Sequence, residues 1–179
     1  MKNERKKPKT EHASFRINQK TLESLKNISR EQQISLNTYV NQIFQSHLSW
    51  DLFAPEIGWI VMLKSVLKEV VKNLDNKTIL QISKNAAESG SKEIALSMRG
   101  KYGVSEWISI LKDRAKSSGF SIKEYSEGDT VRLVLYHDMG EKWSLFFETY
   151  YDTVFFELGT NIKSEHTENS ILLEIKSKI

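Results

Sequence analysis

The sequence contains no cysteine, so it offers neither a disulfide framework nor a thiolate metal site, which suits a reducing compartment. No apolar run approaches the length of a membrane span, and the basic N-terminus lacks the apolar stretch of a signal peptide. We therefore expect a soluble cytoplasmic protein that does not associate with a membrane.

The sequence also lacks the usual motifs of catalysis and cofactor binding. It has no nucleophile motif and no glycine-rich phosphate loop after a strand, and its four histidines are not spaced as metal ligands. His137 and Asp138 are the best candidates for a metal or acid–base site. Such a pair more often completes a turn and caps a helix. We expect a protein that is not an enzyme and that holds no metal or cofactor.

Positive charge is concentrated at the N-terminal end of the chain. Residues 1–50 contain nine Lys or Arg and four Glu, whereas the whole chain of 179 residues has a net charge of only +3. The first eleven residues hold five of these basic side chains and are predicted to form a disordered arm. This arm either keeps the protein soluble or attracts the phosphates of a nucleic acid.

One strand-like segment follows the arm, in the sequence ASFRIN at 13–18. Ala13, Phe15 and Ile17 alternate there with polar residues, which is the period of a strand with one buried face. No other strand pattern occurs in roughly the next hundred residues, and an isolated strand leaves its backbone donors and acceptors unpaired. The segment therefore needs a partner strand that the N-terminal region of the same chain does not supply.

Two short amphipathic helices are predicted after this strand. Asn18 is a candidate N-cap for the first helix, and Ser35 is a candidate N-cap for the second, which runs to about Trp50. Neither helix can bury its apolar face in a unit of about forty residues. Two copies that pair strand to strand and pack four helices together would satisfy both requirements.

The segments SFRIN, LESLKNI and ISLNTYVNQIF together resemble a ribbon-helix-helix DNA-binding domain of the Arc and Met repressor type, over residues 12–50. The resemblance implies an intertwined homodimer whose antiparallel ribbon enters the major groove of double-stranded DNA. The side chains implied to contact bases lie on the outer face of the ribbon: His12, Ser14 and Arg16. The implied phosphate contacts are the start of the second helix and the arm: Ser35, Leu36, Asn37, Lys6, Lys7 and Lys9.

The turn between the two helices departs from this family. The family usually has a glycine there in a left-handed conformation, whereas this chain has Gln32 and Gln33. A residue other than glycine in that conformation costs around 1 kcal/mol. The alternative interpretation of residues 12–50 is a helical hairpin that serves dimerisation alone.

The remainder of the chain is predicted to be an α+β domain over residues 58–179, joined by a linker at 51–57. A helix over 58–74 is followed by one in which Gly90 introduces a break or bend, and by a third that is capped by Ser105. Two strand pairs then flank an aromatic helix, which predicts a mainly antiparallel four-stranded sheet with helices on one face.

The aromatic helix, predicted over 140–158, carries more aromatic residues than one helical face can hold. The excess indicates either a thick core with a dimer surface or a small apolar ligand pocket. The layout is similar to that of vinyl-reductase-like ligand-sensing domains, but those usually carry cysteines near the C-terminal hairpin, so no site is transferred. The candidates for the pocket or dimer interface are Trp143, Phe147, Tyr150 and Tyr151.

Two functions follow from these observations. The first is a DNA-binding transcriptional regulator that forms a homodimer or a higher homo-oligomer, with a C-terminal domain for sensing a small-molecule or protein effector or for oligomerisation. The second is a protein-interaction module of the antitoxin kind, in which the N-terminal domain mainly dimerises or autoregulates. Because antitoxin C-terminal segments tend to be short and disordered, a folded C-terminal domain favours the regulator.

Overall fold

The computed structural model describes residues 10–176, so the predicted phosphate contacts Lys6, Lys7 and Lys9 lie outside the described residues. The chain divides into two compact units, Met1–Gln45 and Ser46–Ile179. None of the helices between residues 10 and 176 has the length and apolar character needed to cross a bilayer.

The first unit contains α1 (Gln19–Glu31) and all but the last residue of α2 (Leu36–Ser46), the two predicted helices. Each helix begins directly after its predicted N-cap residue. The Asn18 side chain accepts a hydrogen bond from the backbone N–H of Lys20 at 3.0 Å, and the Ser35 hydroxyl accepts one from Thr38 at 3.0 Å. These side chains satisfy N–H groups that have no partner within the helix.

The segment before α1 forms no strand in the single chain, although its alternation predicts one at 13–18. Residues 10–45 contain no strand that could pair with its backbone. Phe15 is 67% exposed and Ile17 43% exposed, and the Phe15 ring lies 6.0 Å from that of Phe44. The ribbon shared between two chains therefore remains a prediction.

The turn between α1 and α2 has the left-handed residue that the family resemblance implies. Gln33 has φ +55°, and its N–H donates to the carbonyl of Arg30, while the N–H of Ile34 donates to the carbonyl of Ser29. These two bonds form a Schellman motif, which usually has glycine at the left-handed position. The chain therefore carries backbone strain at Gln33.

Replacing Gln33 with glycine is expected to raise the free energy of unfolding by about 0.5–1 kcal/mol, because glycine adopts this φ without strain. The matched control is Gln32→Gly, at φ −82°, where glycine only adds flexibility to the unfolded chain. Urea denaturation followed by far-UV circular dichroism measures both changes. Equal effects of the two substitutions would show that the strain is absent.

The second unit is an α+β fold with a four-stranded antiparallel sheet, as predicted. A short π-helical segment, His47–Asp51, lies near its start. The elements are α3 (Lys64–Lys72), α4 (Asn76–Arg99), α5 (Val104–Ser117), β1 (Ser121–Glu127), β2 (Thr130–Tyr136), α6 (Glu141–Glu157), β3 (Ile162–Thr167) and β4 (Ser170–Lys176). The strand order in the sheet is β1-β2-β4-β3.

The sheet consists of two hairpins joined along β2 and β4. Gly128 has φ +59° in the first hairpin turn, between the paired residues Glu127 and Thr130. In the central pair, Leu133 lies opposite Leu173. Burial alternates along both central strands, so one face of the sheet packs into the core and the other does not. The buried residues of this face are Leu133, Leu135, Ile171, Leu173 and Ile175.

Helix α6 is covered on two sides, by α4 and by the sheet. This arrangement accounts for aromatic residues on more than one of its faces. Helix α4 presents small residues at every fourth position, which lie on one face of a helix, and their size permits close packing. The Ser83 hydroxyl donates to the carbonyl of Phe146 on α6 at 2.6 Å. The small, fully buried residues are Ser83, Ala87, Ser91 and Ala95.

The helix predicted over 58–74 is shorter in the structure, where α3 begins only at Lys64. Residues 59–63 have no helical structure, and Leu63 has the extended value ψ 129°. Two consecutive β-branched residues, Ile60 and Val61, favour this conformation over a helix. In the predicted linker, 51–57, the first residue ends the π-helical segment and the other six form turns in which Ala54 is buried.

Three local predictions about helix ends and breaks are wrong. Gly90 lies within an uninterrupted α4, where an added Cβ would meet only ordinary contact with Ile94. Helix α5 is preceded by Gly103 at the N-cap instead of Ser105. Asp138 does not cap α6, because it lies in a turn with φ +53° and the N-cap position belongs to the residue two positions later.

Candidate functional site

A cavity of about 720 Å³ lies within the second unit, between the segment that precedes α3 and helices α5 and α6. The segment contributes Trp50 and Trp59, whose rings lie 5.2 Å apart. Helix α6 contributes Trp143 and Phe147, whose rings lie 5.5 Å apart. The ring centre of Phe120, just before the first hairpin, lies 5.9 Å from that of Phe147. Aromatic rings therefore form part of the cavity wall, beside aliphatic side chains.

Two cations and one carboxylate also line the cavity: Lys64, Arg114 and Asp51. The guanidinium of Arg114 lies 4.6 Å from the ring centre of Trp59 and 5.3 Å from that of Phe147. The ammonium of Lys64 lies 4.6 Å from the ring centre of Phe120. These are cation–π distances, so the cavity combines an aromatic wall with net positive charge.

The indole N–H groups of Trp59 and Trp143 are shielded from solvent and have no hydrogen-bond partner among the described residues. Both side chains line the cavity. Buried donors in folded proteins almost always find an acceptor, and leaving one unpaired costs about 1–3 kcal/mol. Each of these N–H groups is covered by surrounding protein atoms and does not open onto the cavity.

Of the aromatic residues predicted to form a pocket or dimer interface, Trp143 and Phe147 line the cavity, while Tyr150 and Tyr151 are buried beside it. Burial raises the pKa of Tyr150 to about 12, although the nearby Arg114 guanidinium opposes this rise. Burial also raises the pKa of Tyr151 against the same opposing charge. Both phenols are neutral at physiological pH.

The sequence interpretation missed the contribution of Trp59, Lys64, Arg114 and Phe120 to this cavity. Their positions in the chain are dispersed, and no periodic pattern connects them. One signal was available, since the predicted linker is flanked by two tryptophans in the sequence WDLFAPEIGW. Tryptophan is highly buried on average, so a tryptophan at each side of a linker is a signal that the linker packs against a domain.

His137 is buried as a structural link between β2, α6 and the second hairpin turn. Its Nδ1 accepts from the backbone N–H of Met139 at 3.1 Å, so Nε2 carries the proton and donates to the Ser144 hydroxyl at 2.9 Å. That hydroxyl in turn donates to the carbonyl of Glu168 at 3.0 Å. All of its ring hydrogen-bonding capacity is used, so His137 has neither a free nitrogen for a metal nor a free proton acceptor.

His166 on β3 bridges two carboxylates of α6, with Nδ1 2.5 Å from Glu148 and Nε2 3.1 Å from Glu141. Burial opposes protonation, but the hydrogen bonds to Glu148 and Glu141 outweigh it and raise the pKa of His166. Because the two carboxylates contact opposite ring nitrogens, they do not converge on one point. Within residues 10–176, no group of three or more potential ligands is arranged to hold a metal ion.

The predicted base-contacting residues of the first unit, His12, Ser14 and Arg16, lie exposed in the irregular segment before α1. Of the predicted phosphate contacts, Leu36 and Asn37 form the first turn of α2, and Ser35 caps it. The Asn37 side chain accepts a hydrogen bond from Asn41 at 3.3 Å along the helix. The positive end of the α2 dipole therefore lies beside these residues.

Comparison with protein-family models finds no match, and comparison with curated proteins finds none either. Among solved structures, the chain is distantly similar to one described as "Probing the function of heme distortion in the H-NOX family". The TM-score is 0.43 and the sequence identity 10%, over 79% of this chain and 90% of that chain. A likeness of this size carries no argument about function.

Proposed function

We propose that this protein is a dimeric, sequence-specific DNA-binding transcriptional regulator without enzymatic activity. In this proposal the first unit binds DNA as a ribbon-helix-helix dimer, and the second unit binds a small-molecule effector. The observation that carries the proposal is the exposure of the first unit's apolar side chains: Phe15, Ile17, Ile43 and Phe44. Two helices alone cannot bury them, and a second copy that pairs strand to strand would.

The alternation of the segment before α1 supports a ribbon that reads bases. If Phe15 and Ile17 point into a four-helix core, Ser14 and Arg16 point away from it. A two-stranded ribbon fits the major groove, where an arginine makes a bidentate contact with guanine. The α2 N-terminus, which Ser35 caps, would then bind phosphate.

The cavity of the second unit supports a sensing role for residues 46–176. Small-molecule sites are typically concave, largely apolar and lined with a few polar groups, with volumes of about 300–1,000 Å³. The cavity of about 720 Å³ and its aromatic wall with two cations agree with this description. The buried core of this unit, which helices and the sheet form together, also distinguishes it from the short disordered segments of antitoxins.

Selection of binding sites from a random pool of DNA duplexes tests the DNA-binding part. We expect the wild-type protein to enrich a two-fold symmetric motif, and Arg16→Ala to lose about 1–3 kcal/mol of binding free energy with relaxed base preference. The matched control is Arg30→Ala, which removes an exposed arginine at the end of α1, outside the predicted ribbon.

The control variant is expected to enrich the same motif as the wild type. Binding without any motif, which fades uniformly as salt is raised, would refute base readout by the ribbon. A motif that survives Arg16→Ala unchanged would refute the assigned role of that residue.

A further inference from the structure

We propose that the cavity of the second unit binds an amphipathic carboxylate, a planar aromatic body with one anionic group. This inference deepens the proposed sensing function and rests on it for its biological meaning. The aromatic body would lie among the tryptophans and phenylalanines of the wall, and the carboxylate would pair with Arg114 and Lys64.

The wall determines the body of the ligand. Trp50 and Trp59 come from the segment before α3, and Trp143 and Phe147 come from α6. Aromatic side chains pack against other rings in offset-stacked or edge-to-face arrangements, which favours a planar aromatic ligand over a flexible polar one. The volume of about 720 Å³ accommodates a body of more than one ring.

The charged residues of the cavity determine the sign of the charge on the ligand. Arg114 is partly buried, and neither it nor Lys64 forms an ion pair with a carboxylate in the part of the chain that the structure describes. Asp51 is the single acidic residue among those that line the cavity, which leaves a net charge of +1 there. An anion would supply a partner for a partly desolvated guanidinium, whereas a cation would be repelled.

Calorimetric titration of the full chain, without DNA, tests this inference with naphthoate and its neutral analogue naphthamide. We expect naphthoate to bind at least about tenfold more tightly, since a hydrogen-bonded charge pair contributes more than a neutral one. Arg114→Gln is expected to reduce this preference to near parity. The matched control Lys116→Gln removes an exposed cation two residues further along α5 and is expected to retain it.

Lys64→Gln provides a second test if the Arg114 variant does not fold, as judged by circular dichroism, and it too should lower the preference for the anion. Equal affinity for naphthoate and naphthamide, or an undiminished preference in the folded variants, would overturn the assignment of the anion. Absence of binding by both compounds would overturn the ligand class as a whole.

The design separates this inference from the proposed regulatory function. Naphthoate binding that leaves DNA affinity unchanged would support the ligand class and refute sensing. A DNA motif that is read normally by a protein that binds neither compound would refute the ligand class alone.

Discussion

Replacing Phe155 with alanine is expected to lower the free energy of unfolding of the second unit by about 3–5 kcal/mol. Phe155 is fully buried in the core formed by α6, the sheet and the other helices. Its removal takes a large apolar side chain out of the core and leaves a cavity that the packed neighbours only partly fill. This is the largest single-residue effect on stability that we predict.

The adjacent residue provides a matched control. Phe156 is 73% exposed, so Phe156→Ala is expected to change the free energy of unfolding by no more than about 0.5 kcal/mol. Urea denaturation monitored by tryptophan fluorescence measures both variants, because the four tryptophans all belong to the second unit. A large loss for Phe156→Ala in a dilute monomeric sample would contradict the orientation of α6.

The second large effect is a loss of stability in acid that depends on His137. Burial lowers the pKa of His137 from its ordinary value of 6.5 to about 4, with smaller effects from the charges of Asp138, Lys64 and Lys68. Protonation of Nδ1 would also break the hydrogen bond from the Met139 N–H. In this pH range, His137 therefore binds a proton less readily in the folded state than in the unfolded state.

The direction of the pH dependence follows from this difference. Between pH 6.5 and 4 the unfolded state binds more protons than the folded state. The contribution of His137 to the free energy of unfolding therefore has its full value above pH 6.5 and falls as the pH is lowered. The expected loss is on the order of 2–3 kcal/mol. The effect of His166 on stability is opposite in sign and occurs over a different pH range. Because the pKa of His166 is raised in the folded state, its contribution to the free energy of unfolding declines as the pH rises above 6.5.

Denaturation of the wild type and of His137→Gln, measured from pH 7 to pH 4, tests this prediction. The variant is expected to be less stable at pH 7 and to lose less stability on acidification, so the decisive quantity is the difference between the two slopes. His47→Gln removes an exposed histidine and is expected to retain the wild-type slope. Parallel slopes for the wild type and His137→Gln would refute the link between acid lability and this residue.

The elements best predicted from the sequence are those whose signals are local. The N-caps Asn18 and Ser35 marked the starts of α1 and α2, and the turn at Gly128 marked the first hairpin. Alternation of apolar residues located the sheet strands, since the period of a strand identifies its buried face without knowledge of its neighbours. The strained turn at Gln33 was implied by the resemblance to the ribbon-helix-helix family, which usually has a left-handed glycine in this turn.

The features that sequence patterns missed depend on contacts between distant segments. The start of α3 was placed too early because the apolar residues around Ile60 have a helical period although the chain there is extended. The buried role of His137 depends on Ser144 and Glu168, which local chemistry cannot bring together. Periodicity reports that a residue is buried and does not report what it is buried against.

The sequence by itself determined most of the helices and the four strands of the sheet, the antiparallel character of the sheet and the concentration of positive charge near the N-terminus. Each of these depends on the chemistry of residues that are close in the chain. Only the tertiary structure decided that Trp59, Arg114 and Trp143 share a cavity and that α6 is covered on two sides. The physical reason is that packing joins residues by shape and volume, and these are properties of the assembled core.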